Sequence, residues 1–229
     1  MLKNFYKTAK SIDLSILNHE NFCSTYIDIE WSLIEYNRIS FINNAVKNFK
    51  NCKYLEIGCD RNNCFHSIFA KNKVGIDPVR GGNIRTTSDN FFLENKVIFD
   101  VIFIDGMHVY EQVRKDVENS LNFLNINGFI FLHDLTPRNF LEENVPRLQT
   151  VWTGDVWKVA IELAKTKGID FFVINADNGV GVLKKKNNKV TLFNDFLNLK
   201  NKKFKDFLEL NEVINYINPQ EANDFINQN

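Results

Sequence analysis

The sequence predicts an α/β protein: a doubly wound, mostly parallel sheet finished by a C-terminal antiparallel hairpin strand, with helical extensions at both ends. Three observations carry this. From Lys53 onward, short apolar runs (KYLEIG, KVGID, DVIFID and GFIFLHD) alternate with helical stretches, and runs that are apolar on both faces are what buried parallel strands look like. Between the last two runs Val109, Val113, Val117, Leu121 and Leu124 recur at helical spacing, with Asn127-Gly128 as the break before the next strand; this is a βαβ unit, which crosses over right-handed. Further on, DFFVIN and VGVLKK flank Asp177-Asn178-Gly179, and Asn-Gly between apolar runs is a strong hairpin signal.

Each element follows in order. Residues 1–51 read as an N-terminal helical cap, because Ile27, Ile29, Trp31, Leu33, Ile34, Ile39, Ile42 and Val46 recur at mixed spacings of three and four. Residues 52–186 hold the sheet, with a helix expected from Asp155 to Lys167 before the hairpin. Residues 187–229 read as an appended helical tail, charged, with Phe193, Phe196, Leu197, Phe204, Phe207, Leu208 and Leu210 as the apolar positions.

Composition narrows the function. The 229 residues, 44% hydrophobic, suit one domain with appendages. Lys+Arg and Asp+Glu both number 28, so no net charge recruits nucleic acid or an anionic membrane. The start MLKNFYKTAK lacks a signal peptide's apolar stretch and no window is long enough to span a bilayer, so a cytoplasmic location without membrane association is expected. Cys23, Cys52, Cys59 and Cys64 form no C-x-x-C pair and are read as small apolar fillers. A homodimer is kept open as an assembly.

The chemistry gathers at strand ends. The first run ends in Leu55-Glu56-Ile57-Gly58-Cys59-Asp60 and the second in Gly75-Ile76-Asp77-Pro78. A carboxylate at the second position is placed to take two ribose hydroxyls, while Gly58 lets the backbone approach a ligand. A tight turn with a solvated carboxylate is the other reading. Where G-x-G-x-x-G needs glycines this chain has Asp60 and Asn63, which argues against NAD.

LEIGCD followed by VGIDP resembles motif I and the acidic ribose-binding loop of class I S-adenosylmethionine (SAM) methyltransferases, without the third glycine of their usual pattern. Asp105-Gly106-Met107-His108-Val109-Tyr110, then Asp116, Asn127-Gly128 and His133-Asp134, is similar to a branch with D-G-x-H-x-Y after strand four and H-D after strand five, related to catechol-type and antibiotic-sugar O-methyltransferases. The resemblance covers roughly residues 50 to 185 and implies a seven-stranded sheet, SAM as methyl donor, and O-methylation of a small molecule or sugar hydroxyl. It implies that Glu56, Gly58 and Cys59 form the donor loop, that Asp77 binds ribose, that Ser88 and Asp89 pass the adenine, and that Asp105 borders the donor. For Ser88 and Asp89 an ordinary helix cap is the equal alternative.

Asp105 and Asp134 both lie at carboxyl ends of adjacent strands, and two convergent carboxylates invite a divalent metal, magnesium or manganese, that holds an acceptor hydroxyl and lowers its pKa. His133 or His108 then serves as ligand or general base, His108 being the more structural of the two. Where the catechol-type pattern has an acidic residue followed by Asp or Asn, this chain has His133 before Asp134, so a metal-free mechanism with a histidine base stays open. Trp152, Asp155 and Lys158 are the acceptor-site candidates, against a helix cap by Asp155 and core tryptophans. Two other functions remain: a Rossmann-type nucleotide-binding oxidoreductase or epimerase, for which residues 52–186 hold no Tyr-x-x-x-Lys pair, and a noncatalytic binding module on the same fold.

Overall fold

The computed structural model describes residues 6–8 and 22–228. Most of the expected N-terminal cap before residue 22 lies outside them. The part that is described begins with two short strands, β1 (Tyr6–Thr8) and β2 (Thr25–Ile27), paired antiparallel, followed by a 3-10 turn at Trp31–Leu33. The apolar residues from 27 to 33 therefore do not form the expected helix. Only α1 (Arg38–Lys47) is helical here. It starts where it does because the Asn37 side chain accepts the Ile39 and Ser40 backbone N–H groups while Ser40 Oγ takes the Asn37 N–H.

The sheet then follows the sequence order: β3 (Lys53–Ile57), α2 (Asn63–Ser67), β4 (Asn72–Ile76), α3 (Ser88–Glu94), β5 (Phe99–Ile104), α4 (Tyr110–Asn122), β6 (Leu124–Leu132), α5 (Phe140–Glu143), α6 (Trp157–Lys165), β7 (Ile169–Ile174) and β8 (Val180–Lys185). The tail supplies α7 (Phe196–Leu199), α8 (Phe204–Leu210), β9 (Tyr216–Ile217) and α9 (Pro219–Asn227). In space the seven strands run β4-β3-β5-β6-β8-β7-β9. All neighbours are parallel except β8, which is antiparallel to both β6 and β7.

The sheet is covered on both faces, and the strands alternate between the two cores as a period of two requires. Ile102, Ile104, Ile130 and Leu132 enter one core, with residues of α4, α6 and α8; Val101, Phe103, Phe129 and Phe131 enter the other, with residues of α1, α2 and α9. The seventh strand was not among the apolar runs of the sequence. It comes from the tail, which is thus part of the sheet as well as helical. The helix before β6 ends at Asn122, earlier than Asn127-Gly128, which instead sits within β6 beside a register shift, Asn127 at φ 61. Among the described residues no helix is long and apolar enough to cross a membrane, and the four cysteines are free.

Candidate active site

Because β3, β5, β6 and β7 run parallel, their carboxyl ends share one edge, and the turns leaving them bring together residues far apart in sequence. Asp105 follows β5, His133 and Asp134 follow β6, and Asp177 lies in the turn between β7 and β8, at φ 48. Arg38 reaches them from the first turn of α1. The turn after β3 fits against the one after β5 because residue 58 is glycine: at its φ of +87 a Cβ would overlap the Asp105 carbonyl.

His133 stands at the centre. Its Nδ1 lies 3.4 Å from Asp105 Oδ1 and 3.2 Å from Asp134 Oδ2, and its Nε2 lies 3.3 Å from Asp177 Oδ1. His108 Nε2 lies 3.4 Å from Asp105 Oδ1, while its Nδ1 is 3.2 Å from Asp134 Oδ2 and 3.1 Å from the Trp152 carbonyl. Asp134, nearly buried and at φ 61, receives Asn178 Nδ2 on Oδ1 at 3.0 Å. Arg38 Nη1 donates to Asp177 Oδ2 at 2.8 Å, and Arg38 Nε lies 3.9 Å from Asp105 Oδ2.

The electrostatics follow from three carboxylates facing one guanidinium and two imidazoles. Burial alone disfavours charge on His133, yet Asp134 and Asp105 hold its pKa well above the usual histidine value; His108 moves the same way against its own burial, through Asp105 and Asp134. Reciprocally, despite burial, Asp105 is held well below the carboxylate range by His133 and His108, and Asp177 by His133 and Arg38.

This arrangement suits a cation. One donor atom each from Asp105, His108 and Asp134 can be chosen so that all lie within 4.8 Å of one another. Carboxylate oxygens suit magnesium and manganese, and the imidazole shifts the preference toward manganese and its transition-metal neighbours. His108, read from the sequence as the more structural histidine, is thus inside the donor set.

The donor-loop candidates lie on the same edge. Asp77 Oδ2 accepts the Cys59 and Asp60 N–H groups, both at 3.1 Å, and Oδ1 accepts those of Val79 and Arg80 at 2.8 and 2.9 Å. Against the effect of burial, these bonds lower its pKa. The carboxylate thus ties the turn after β3 to the turn after β4, and Arg80 pairs with Asp60 across the same junction. Glu56 is buried, with Oε2 accepting the Tyr54 hydroxyl at 2.5 Å and Oε1 left beside the Cys64 thiol without a nitrogen or oxygen partner; burial pushes its pKa to about 7. Ser88 and Asp89 open α3, but the cap itself is Thr87, whose Oγ1 accepts the Asn90 N–H; both instead receive Gln112 Nε2. The buried Glu56 carboxyl and a carboxylate at the end of β4, on either side of a glycine turn, are groups a nucleoside-bearing cation such as SAM can use.

The acceptor candidates separate. Trp152 joins the cluster: its ring stacks on His108, with centroids 5.2 Å apart and planes 18° from parallel, and its Nε1 donates to the Asn144 carbonyl. Gly154, at φ +67, allows this approach, since a Cβ there would overlap the His108 carbonyl. Asp155 and Lys158 do not face a ligand. Asp155 Oδ1 accepts the Tyr110 N–H at 2.7 Å, capping α4, and Oδ2 pairs at 2.7 Å with Lys158, which is fully buried and also donates to the Lys200 carbonyl. The expectation that they reach polar groups of an acceptor is corrected: they join α4, α6 and the tail. Trp157 is a core residue packed on Phe207. The sequence missed Arg38 and Asp177. For Asp177 its hairpin-turn position on the ligand-binding edge was a signal; for Arg38 there was none.

Residues 54–135 match a family model described as a methyltransferase domain. No curated protein sequence matches the chain. Among solved structures, the SAH-bound methyltransferase PaMTH1 of Podospora anserina is 18% identical over 66% of this chain and 78% of its own, with a TM-score of 0.48. The O-methyltransferase of Bacillus cereus in complex with SAH is 12% identical over 66% of this chain and 83% of its own, with a TM-score of 0.47. The MycE methyltransferase of the mycinamycin biosynthetic pathway, in complex with Mg, SAH and mycinamycin VI, is 14% identical over 61% of this chain and 46% of its own, with a TM-score of 0.41.

Proposed function

We propose that this protein transfers a methyl group from SAM to a hydroxyl of a small molecule or sugar, with a divalent cation held by Asp105, His108 and Asp134. The observation that carries the reading is the convergence of these three side chains at the carboxyl edge of the sheet, next to the Gly58 turn and inside the segment that matches the methyltransferase domain. A bound divalent cation acidifies a hydroxyl placed on it, and SAM brings its own activated methyl group, so transfer needs mainly in-line positioning.

The chain's own residues divide that work. Glu56 and Asp77, on either side of the Gly58 turn, hold the donor, the ribose hydroxyls exchanging for part of the backbone set on Asp77. Asp105 stands between donor and acceptor. The Trp152 ring fixes the plane of His108 and forms one wall of the acceptor space, and His133, whose nitrogens meet three carboxylates, stands beside the cation, while solvent takes the proton that the acceptor hydroxyl loses. Calorimetric titration with SAM should show saturable binding that Asp77→Ala weakens about tenfold or more, as expected for the loss of charge-assisted hydrogen bonds. Turnover on any accepted hydroxyl should disappear in excess EDTA and return with manganese or magnesium. No heat with SAM refutes the donor assignment, and undiminished turnover in EDTA refutes the metal.

One observation favours a second reading, a noncatalytic binding module on the same fold. Both oxygens of Asp77 are already filled by four backbone N–H groups, about the full capacity of a carboxylate. The SAM titration separates the two.

A further inference from the structure

Arg38 and Asp177 form the outer wall of the cluster, 139 positions apart in the chain. Arg38 holds Asp177 through three contacts: the backbone N–H donates to Oδ2 at 2.9 Å, and Nη1 donates to Oδ2 at 2.8 Å and Oδ1 at 3.0 Å. The Oδ1 so fixed lies 3.3 Å from His133 Nε2, and Arg38 Nη1 lies 3.2 Å from the same nitrogen. A guanidinium keeps its hydrogens, and Nη1 already has two carboxylate oxygens to give them to. The carboxylate can only accept. Nη1–H and Nε2–H therefore both converge on Asp177 Oδ1, so the hydrogen that a cation would displace from the His133 ring is the one on Nδ1, where it leaves a lone pair.

That lone pair has a destination. The His133 side chain is 7% exposed, and Nδ1, between Asp134 Oδ2 and Asp105 Oδ1, makes no well-aligned hydrogen bond to either. His108 is built to the same plan: its Nδ1 faces the Trp152 carbonyl, which can only accept, so Nε2 is the nitrogen left for Asp105. Each imidazole thus has an outer acceptor for one nitrogen, Asp177 for His133 and the Trp152 carbonyl for His108, the pattern by which outer groups orient imidazole ligands; His133 has both carboxylates in front of Nδ1, whereas at His108 Asp105 faces Nε2 and Asp134 lies 3.2 Å from Nδ1.

We propose that Arg38 and Asp177 are positioning residues that hold His133 with its hydrogen on Nε2, so that Nδ1 joins Asp105, His108 and Asp134 as a fourth donor to the divalent cation. This rests on the metal reading above and deepens it. Two imidazoles and two carboxylates select manganese, cobalt or zinc over magnesium, since imidazole suits the transition metals and magnesium favours oxygen. Asparagine at 177 undoes the device: the Arg38 donors claim its oxygen, its amide N–H then faces Nε2, and the ring turns a hydrogen instead of a lone pair toward the metal.

The test uses the full chain, labelled with nitrogen-15 at histidine and loaded with cadmium-113. The expected result is scalar coupling from cadmium to His133 Nδ1 and to His108 Nε2, with the His133 proton on Nε2. Calorimetric titrations with manganese and with cobalt should give D177N an affinity about 10- to 100-fold below that of the unaltered chain, the usual effect of losing an outer partner, while magnesium binds the unaltered chain more weakly than either. Coupling at His108 but not at His133, or equal affinities for D177N and the unaltered chain, overturns this inference and leaves the metal reading standing. No binding of any of these ions by the unaltered chain overturns both. The coupling is read on the unaltered chain, so the proposal stays open to refutation even if D177N folds poorly.

Discussion

At the scale of single residues, the buried acids outside the cluster set an expectation for pH. Glu143 lies at 1% exposure, with Oε1 receiving Trp157 Nε1 at 3.4 Å and Oε2 without a hydrogen-bond partner. Burial, only partly offset by the Lys158 charge, raises its pKa from 4.5 to about 7. The folded state therefore keeps this proton after the unfolded chain has lost it, and stability must fall as pH rises from about 4.5 to about 7. The loss from this one group is about 3 kcal/mol. Glu143→Gln removes that contribution, so the difference in urea midpoint between variant and unaltered chain should move in the variant's favour from pH 5 to pH 8. A difference that stays constant with pH would show that Glu143 ionises normally.

Between elements, the side chains expected at an acceptor turn out to be joints. Asp155 precedes α6 yet caps α4, and its other oxygen neutralises the buried Lys158, which reaches on to the Lys200 carbonyl of the tail. Asp155→Ala leaves that ammonium uncompensated and should cost about 3 to 5 kcal/mol, with SAM affinity of the folded fraction unchanged. Adding Lys158→Met should recover much of the loss, and thermal melts of the single and double variants decide it. The same pair shows what sequence can carry. Asp105, His133 and Asp134 were legible because each ends an apolar run, so local pattern alone put them on one edge. Strand β9 was not, because two residues carry no periodicity. Nor were the partners of Asp155, Lys158 and Arg38, because the chain approaches that pair them are fixed by packing between segments distant in sequence.

At the scale of the molecule, the tail is sewn into the core. β9 pairs with β7, Asn44 Nδ2 donates to Asn223 Oδ1 at 2.8 Å, Asn48 Nδ2 donates to the Ile226 carbonyl at 2.6 Å, and Phe172 meets Phe225 edge-on at 5.1 Å. Removal of residues from 215 onward should therefore leave β7 with an open edge and the α1 face bare, giving a protease-sensitive, aggregating chain on size exclusion. A monodisperse, cooperatively melting truncated protein would show the tail to be dispensable. The seam between α1 and α9 also sets a timetable for synthesis. On the ribosome α1, which ends at Lys47, emerges long before its covering helix, which starts at Pro219, and Arg38 sits at the start of α1 with its guanidinium on Asp177. A nascent chain carries this apolar face uncovered until α9 is made, so elongation speed and holding chaperones, more than the strength of any one contact, should govern how much of it reaches the folded state.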